Sequence, residues 1–278
     1  MKKWILGAAL LAVALPMNAQ ELPQPSPTST VDQRIGLTDF SSTYSRPATR
    51  GRAIFGDLVP YNEVWRTGAN ACTKISASTD FTMNGNEVKA GEYALFTIPG
   101  EQDWTIILST QTNLWGNSGY TEEGDVLRFN VRAGKGDFDD SFTMGFKSVG
   151  TEGGYLVLEW AETEVSINLG VDSKTESGKN VARALSDANR AYRNAASYYS
   201  DQGDHEKALK TIDIALQLDP NSWYTQWVKA EILHAAGDNK AALKQGKLAV
   251  DMGQEYYDSV GGTFTYRAGL EKDMKGWK

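Results

Sequence analysis

From about Ile35 to Leu169 the apolar positions recur with period two. Trp104, Ile106 and Leu108 form one row, Leu127, Phe129 and Val131 a second, and Phe142, Met144 and Phe146 a third. Leu156, Leu158 and Trp160 form a fourth, and Val165, Ile167 and Leu169 a fifth. Successive side chains of a strand point to opposite faces, so each row can line one buried face. Lys74 to Thr79, Phe81 to Met83 and Glu92 to Ile98 read as further strands. The breaks carry turn chemistry at Asn84-Gly85, Ala90-Gly91, Pro99-Gly100, Gly134-Lys135-Gly136 and Gly153-Gly154. With no helical pattern in between, about seven to nine strands predict an antiparallel β-sandwich or barrel over residues 31–171.

Beyond Leu169 the period changes. Val171 to Gly178 is polar and unpatterned, which predicts a linker over 172–178. Ala-rich amphipathic helices follow over 179–278. Laying Gly203 on Gly237 reveals a 34-residue repeat in which Ala196 matches Ala230, Ala208 matches Ala242, and Ala215 matches Ala249. Asp204 and Asp238 follow the two glycines and are placed to cap the next helix through a backbone N–H. The spacing and the small residues resemble the tetratricopeptide repeat, here as two units, with Tyr266 to Trp277 as the helix that closes the stack. The expected fold class is therefore α+β multidomain: an antiparallel β-domain, then an all-α repeat domain.

The N-terminus predicts export. Lys2 and Lys3 precede a 12-residue apolar run, Trp4 to Leu15, and Pro16 to Ala19 follow, so residues 1–19 read as a secretory signal cleaved near Ala19. Such a run is short of the roughly 20 residues a membrane span needs. The expectation is a periplasmic or secreted protein without a membrane span after cleavage. Residues 20–30, rich in Pro, Ser and Thr, read as an extended tether.

Composition narrows the chemistry. With 41% hydrophobic residues the chain is globular, and 28 basic against 35 acidic residues argues against nucleic-acid binding. A single cysteine, Cys72, excludes an intramolecular disulfide and reads as a small buried hydrophobe. Both histidines, His205 and His234, fall in the helical half, which leaves the β half without the imidazole that a nucleophilic relay or a His-ligated metal requires. No cofactor or metal is expected. Carboxylates cluster at Glu122 to Asp125, at Asp137 to Asp140, and at Glu162 and Glu164, in the manner of solvated loops. Asp137 to Asp140 lacks the ligand spacing of a dedicated calcium loop.

The segment Ser45 to Asn70 is the most unusual. It gathers Arg46, Arg50, Arg52 and Arg66 with Tyr61, Trp65 and Asn70 among glycines and prolines. Arginine's planar fork of donors suits carboxylate or phosphate. Two uses fit: the arginines pair with Asp57, Glu63 and sheet carboxylates to pin a long loop, or they form a pocket for an anion or acidic sugar. Trp115, in a separate Gly-containing loop, offers a stacking surface.

The runs R-G-R-x-I-F-G-x-L-V-P-Y-x-x-V-W-R-T-G-A-N (Arg50 to Asn70), A-G-E-Y-A-L-F-T-I-P-G (Ala90 to Gly100), W-T-I-I-L (Trp104 to Leu108) and L-W-G (Leu114 to Gly116) resemble an exported bacterial family. This is domain of unknown function 2911, some of whose members carry C-terminal tetratricopeptide repeats. The resemblance implies the domain layout and brings no activity. The expected function is a non-enzymatic envelope binding or assembly factor, partnering another envelope protein through its helices. The alternative is a carbohydrate-active enzyme or carbohydrate-binding module in the β-domain.

Overall fold

The computed structural model describes residues 22–277, so the predicted secretory signal lies outside the described residues. The chain divides into two compact units between Asp172 and Ser173. An antiparallel β region comes first and five helices follow.

The β unit contains β1 (Thr28–Ile35), β2 (Thr38–Ser45), β3 (Thr73–Ala77), β4 (Phe81–Met83), β5 (Asn86–Val88), β6 (Gly91–Ile98), β7 (Asp103–Ser109), β8 (Asp125–Arg132), β9 (Gly134–Lys147) and β10 (Gly153–Val171). One sheet has the order β1-β2-β3-β6-β7-β8, the other β5-β4-β10-β9. Residues from both sheets meet in one apolar core that includes Ile35, Phe40, Ile75, Ile106, Phe142, Leu156 and Ile167.

The structure departs from the period-two reading in four places. β1 and β2 begin the fold at Thr28, inside the predicted 20–30 tether. The buried row of β2 is Thr38, Phe40, Ser42 and Tyr44, so its alternation is hidden in a polar sequence. The Asp137 to Asp140 run lies within β9 and not in a loop, because a strand with one solvated face accommodates charges at alternate positions. Finally, the fourth and fifth apolar rows belong to one 19-residue strand, β10. Its pairing with β9 shifts register on either side of Ala161, which takes φ 53°. Across this irregularity the buried row of β10 passes from even numbers (Leu156, Leu158, Trp160) to odd ones (Val165, Ile167, Leu169).

The second unit contains α1 (Ser173–Asp201), α2 (His205–Leu218), α3 (Trp223–Ala235), α4 (Asn239–Ser259) and α5 (Arg267–Lys275). Residues 172–178 are therefore not an extended linker, since α1 starts at Ser173. Its first turns are mostly exposed, so no apolar stripe announces them, and a Glu176–Lys179 ion pair at 2.7 Å supports them locally. The matched alanines 196, 208, 215, 230, 242 and 249 are all fully buried, which lets the helices approach closely. Gly203 and Gly237 take φ 80° and 85°, ending α1 and α3, and permit the chain reversal. Asp204 and Asp238 then cap α2 and α4, accepting from Lys207 N at 3.1 Å and Ala241 N at 2.9 Å. Trp277 stacks on Trp227 and His234, closing the last cluster. Among the described residues no helix is long and apolar enough to cross a membrane. We expect Asp238→Ala to lower helical stability by about 1 kcal/mol, read as an earlier loss of helical circular dichroism on urea titration.

Candidate functional site

The arginine segment is the long connection from β2 to β3, and its backbone is laid down by short-range chemistry. Arg50, Asn62, Thr67 and Asn70 all take positive φ, as do Gly51, Gly56 and Gly68. Thr67 is β-branched and fully buried at φ 55°, a conformation that costs free energy and persists only where its surroundings hold it. What holds it is visible. Trp65 N donates to Thr97 O at 2.7 Å and Thr97 N returns to Trp65 O at 2.9 Å, fastening the segment to β6. Thr67 Oγ1 bonds Thr97 Oγ1 at 3.1 Å, and Thr73 Oγ1 donates to Thr67 O. Gly68 is required, because a Cβ there would lie 2.9 Å from Ser45 O.

This frame presents a cavity of about 240 Å³ lined by Arg50, Arg52, Trp65, Arg66 and, from far along the chain, Trp160. Its other walls include Pro25, Pro47, Leu58 and Val59. Pro25 and Ser26 come from the predicted tether, which is bonded down: Arg46 N donates to Pro27 O at 2.9 Å and Asn70 Nδ2 to Ser26 O at 3.1 Å. Trp65 is held by a bond from its indole N–H to Gly68 O at 3.0 Å and by stacking on Trp160, with centroids 5.9 Å apart.

The four arginines divide into two kinds. Arg46 is architectural: its Nε donates to Phe142 O at 3.1 Å and its Nη2 to Thr143 Oγ1 at 2.7 Å, tying the connection to β9, and it does not line the cavity. Arg50 makes one side-chain bond, Nη2 to Pro25 O at 3.2 Å. Arg52 makes two, Nε to Thr49 O and Nη2 to Ala48 O. Arg66 Nε is buried with no hydrogen-bond partner among the described residues. A guanidinium carries five donors, so most of the donor capacity at the cavity is unengaged. Among the described residues none of the four arginines has a carboxylate within ion-pair distance, so the expected pairing with Asp57, Glu63 and sheet carboxylates is not found. Burial, with no acid to offset it, pushes the Arg66 pKa below a guanidinium's ordinary value.

Beneath Arg66 lies the Trp115 loop. Gly116 N donates to Asn70 O at 2.9 Å, Asn117 Nδ2 to Val64 O at 2.7 Å, and a Cβ on Gly116 would sit 3.4 Å from Arg66 Nη1. Gly116 thus lies against the guanidinium, whereas Trp115 itself points to solvent, 73% exposed, outside the cavity. Tyr61 also lies elsewhere, in a cavity of about 350 Å³ with Trp104, Glu101, Lys135 and Glu162. Four of the eight predicted residues are therefore brought together, namely Arg50, Arg52, Trp65 and Arg66. Arg46, Asn70, Tyr61 and Trp115 are not among the lining. Trp160, Pro25 and Ser26 escape sequence reasoning because nothing local in the sequence connects them with the arginine segment.

Two of the three acidic clusters are engaged with cations, whereas in the third Asp140 accepts from Thr49 Oγ1. Arg128 pairs with Glu122 at 3.1 Å and Asp125 at 2.9 Å, Lys135 with Glu162 at 3.5 Å, and Lys147 with Glu159 and Glu164. Tyr120 donates its hydroxyl to Asp125, and burial followed by that bond pushes its pKa up to about 12. Among the described residues no group of three or more His, Cys, Asp or Glu side chains is placed to hold a metal. Cys72 is buried.

Residues 26–169 match the model of a family described as protein of unknown function (DUF2911). No curated protein and no solved structure matches the chain.

Proposed function

We propose, for a chain that belongs to the DUF2911 family of proteins of unknown function, that it is an exported, non-enzymatic envelope protein whose β unit captures a small oxyanion on Arg50, Arg52 and Arg66. The β unit is a sandwich in this reading, supported by two antiparallel sheets contributing to one core. The helical unit is a pair of tetratricopeptide repeats with a closing helix, supported by the 34-residue match and the paired caps. It serves to dock another envelope protein. Cleavage near Ala19 and a periplasmic or secreted location rest on the charged, apolar and small-residue pattern of residues 1–19.

The observation that carries the ligand reading is the charge balance of the cavity. Three arginines with unengaged donors line it, one of them with an orphaned Nε, and among the described residues no carboxylate does. An oxyanion supplies both the missing acceptors and the missing charge. The test is the melting temperature of the mature protein in phosphate, sulfate and galacturonate, against chloride at matched ionic strength. At least one of the three raises it with a saturating dose dependence, since a ligand specific for the folded state stabilises by mass action. The rise shrinks as ionic strength increases, because exposed charges are screened. Millimolar doses of all three, and of a simple monocarboxylate, without effect would end the reading.

A second reading rests on the Tyr61 cavity, where Glu101 and Glu162 share walls with Trp104. Two carboxylates beside aromatic rings suit a sugar. It predicts that neutral oligosaccharides stabilise the protein and that Glu101→Gln abolishes this response.

A further inference from the structure

We infer that the anion is a small organic acid with a compact apolar, aromatic body, bound carboxylate-first against the arginines. This rests on the oxyanion reading above and specifies its ligand. Among the described residues the charged side chains lining the cavity are all arginine, and its accessible apolar wall comes mainly from Pro25, Pro47 and Leu58, with the almost fully buried Val59, Trp65 and Trp160 behind them. Among the described residues no Asp, Glu, Asn, Gln or His lines it. A polyol needs acceptors for its hydroxyl protons, and the walls offer them few side chains besides Ser26. An amino acid needs an anion for its ammonium, and none is present. Both would be buried with unsatisfied donors, each at a real cost.

A ring with one carboxylate meets no such penalty. Its oxygens accept from the arginine forks, and its carbon body displaces water from proline and leucine surfaces. The size agrees: an apolar cavity of about 150 Å³ accommodates benzene, and the volume here, about 240 Å³, leaves room for a carboxylate as well. The indoles are fixed by stacking and by their own hydrogen bonds, so the apolar wall is preformed. Preformed walls lower the ordering cost of binding.

The experiment uses the mature protein, with benzoate as the probe and phosphate, galacturonate, glycine and benzyl alcohol as comparisons, followed by thermal shift and titration calorimetry. Benzoate should half-saturate at a concentration about tenfold or more below phosphate and galacturonate, as expected from burying one face of a ring. Glycine and benzyl alcohol should have no effect. Leu58 is 41% exposed, so Leu58→Asn should fold normally; it should weaken benzoate several-fold and leave phosphate unchanged. If phosphate or galacturonate binds as well as benzoate, the apolar-acid inference is overturned while the oxyanion reading stands. If no anion binds, or benzyl alcohol matches benzoate, both are overturned.

Discussion

Trp160→Ala is expected to destabilise the β unit by about 3–5 kcal/mol, the range for truncating a large buried aromatic ring. Trp160 is 2% exposed and touches three aromatic neighbours: Trp65, stacked at 5.9 Å, Phe142 at 5.9 Å and Phe55 at 6.0 Å. The indole N–H donates to Asp140 O at 3.3 Å, but that carbonyl also accepts from Thr49 N at 2.7 Å. Losing the indole therefore strands no polar group. The cost is a void among rings that are locked against both sheets and cannot collapse onto it. Near-ultraviolet circular dichroism during urea unfolding reads the packing of these rings, whereas the far-ultraviolet helical signal of the second unit provides an internal reference. Trp115→Ala is the control: with its side chain in solvent it should change stability by no more than about 0.5 kcal/mol. A loss below about 1 kcal/mol for Trp160→Ala would mean the cluster is not packed as described. The same substitution should blunt any ligand response, because Trp160 is also a wall of the arginine cavity.

Much of the core was legible because burial imposes a period. The rows Trp104-Ile106-Leu108 and Val165-Ile167-Leu169 are buried as their alternation requires. The six matched alanines of the helices are buried for the equivalent reason, close helix approach. What escaped is what leaves no local period. β2 buries Thr38 and Ser42, whose hydroxyls find partners in Thr79 Oγ1 and Lys74 O, so a polar residue fills a core position. The bulge at Ala161 shows only as a change of parity between Trp160 and Val165, which two separate strands would produce equally well. The first turns of α1 face water and need no apolar stripe. At the site, the arginines stand out through composition, but their sorting into one that pins and three that line a cavity depends on carbonyls of Pro25, Thr49 and Phe142. No spacing rule reaches those atoms.

That sorting can be tested through substitutions with opposite signs. Arg66→Met should leave stability unchanged or raise it by up to about 1 kcal/mol, because it removes a buried donor with no partner and keeps an apolar stem of similar length. Arg46→Met should instead cost about 1–2 kcal/mol, since Phe142 O and Thr143 Oγ1 each lose a charged donor. Ligand response should divide the other way. Hydrogen bonds to a charged group contribute about 1.5–3 kcal/mol, so Arg66→Met should weaken anion binding by roughly ten- to a hundredfold, while Arg46→Met leaves it within about twofold. The methionine variant separates these roles better than alanine does, because alanine also removes the buried apolar stem and would destabilise under either reading. A structural arginine loses stability on conversion to methionine. A ligand-binding arginine loses its ligand and retains its fold, since a cation desolvated without a counter-charge is a cost that the folded protein carries until the anion arrives. If Arg66→Met destabilises the β unit by more than about 1 kcal/mol while the anion response persists, Arg66 belongs with Arg46 and the cavity is not a binding site.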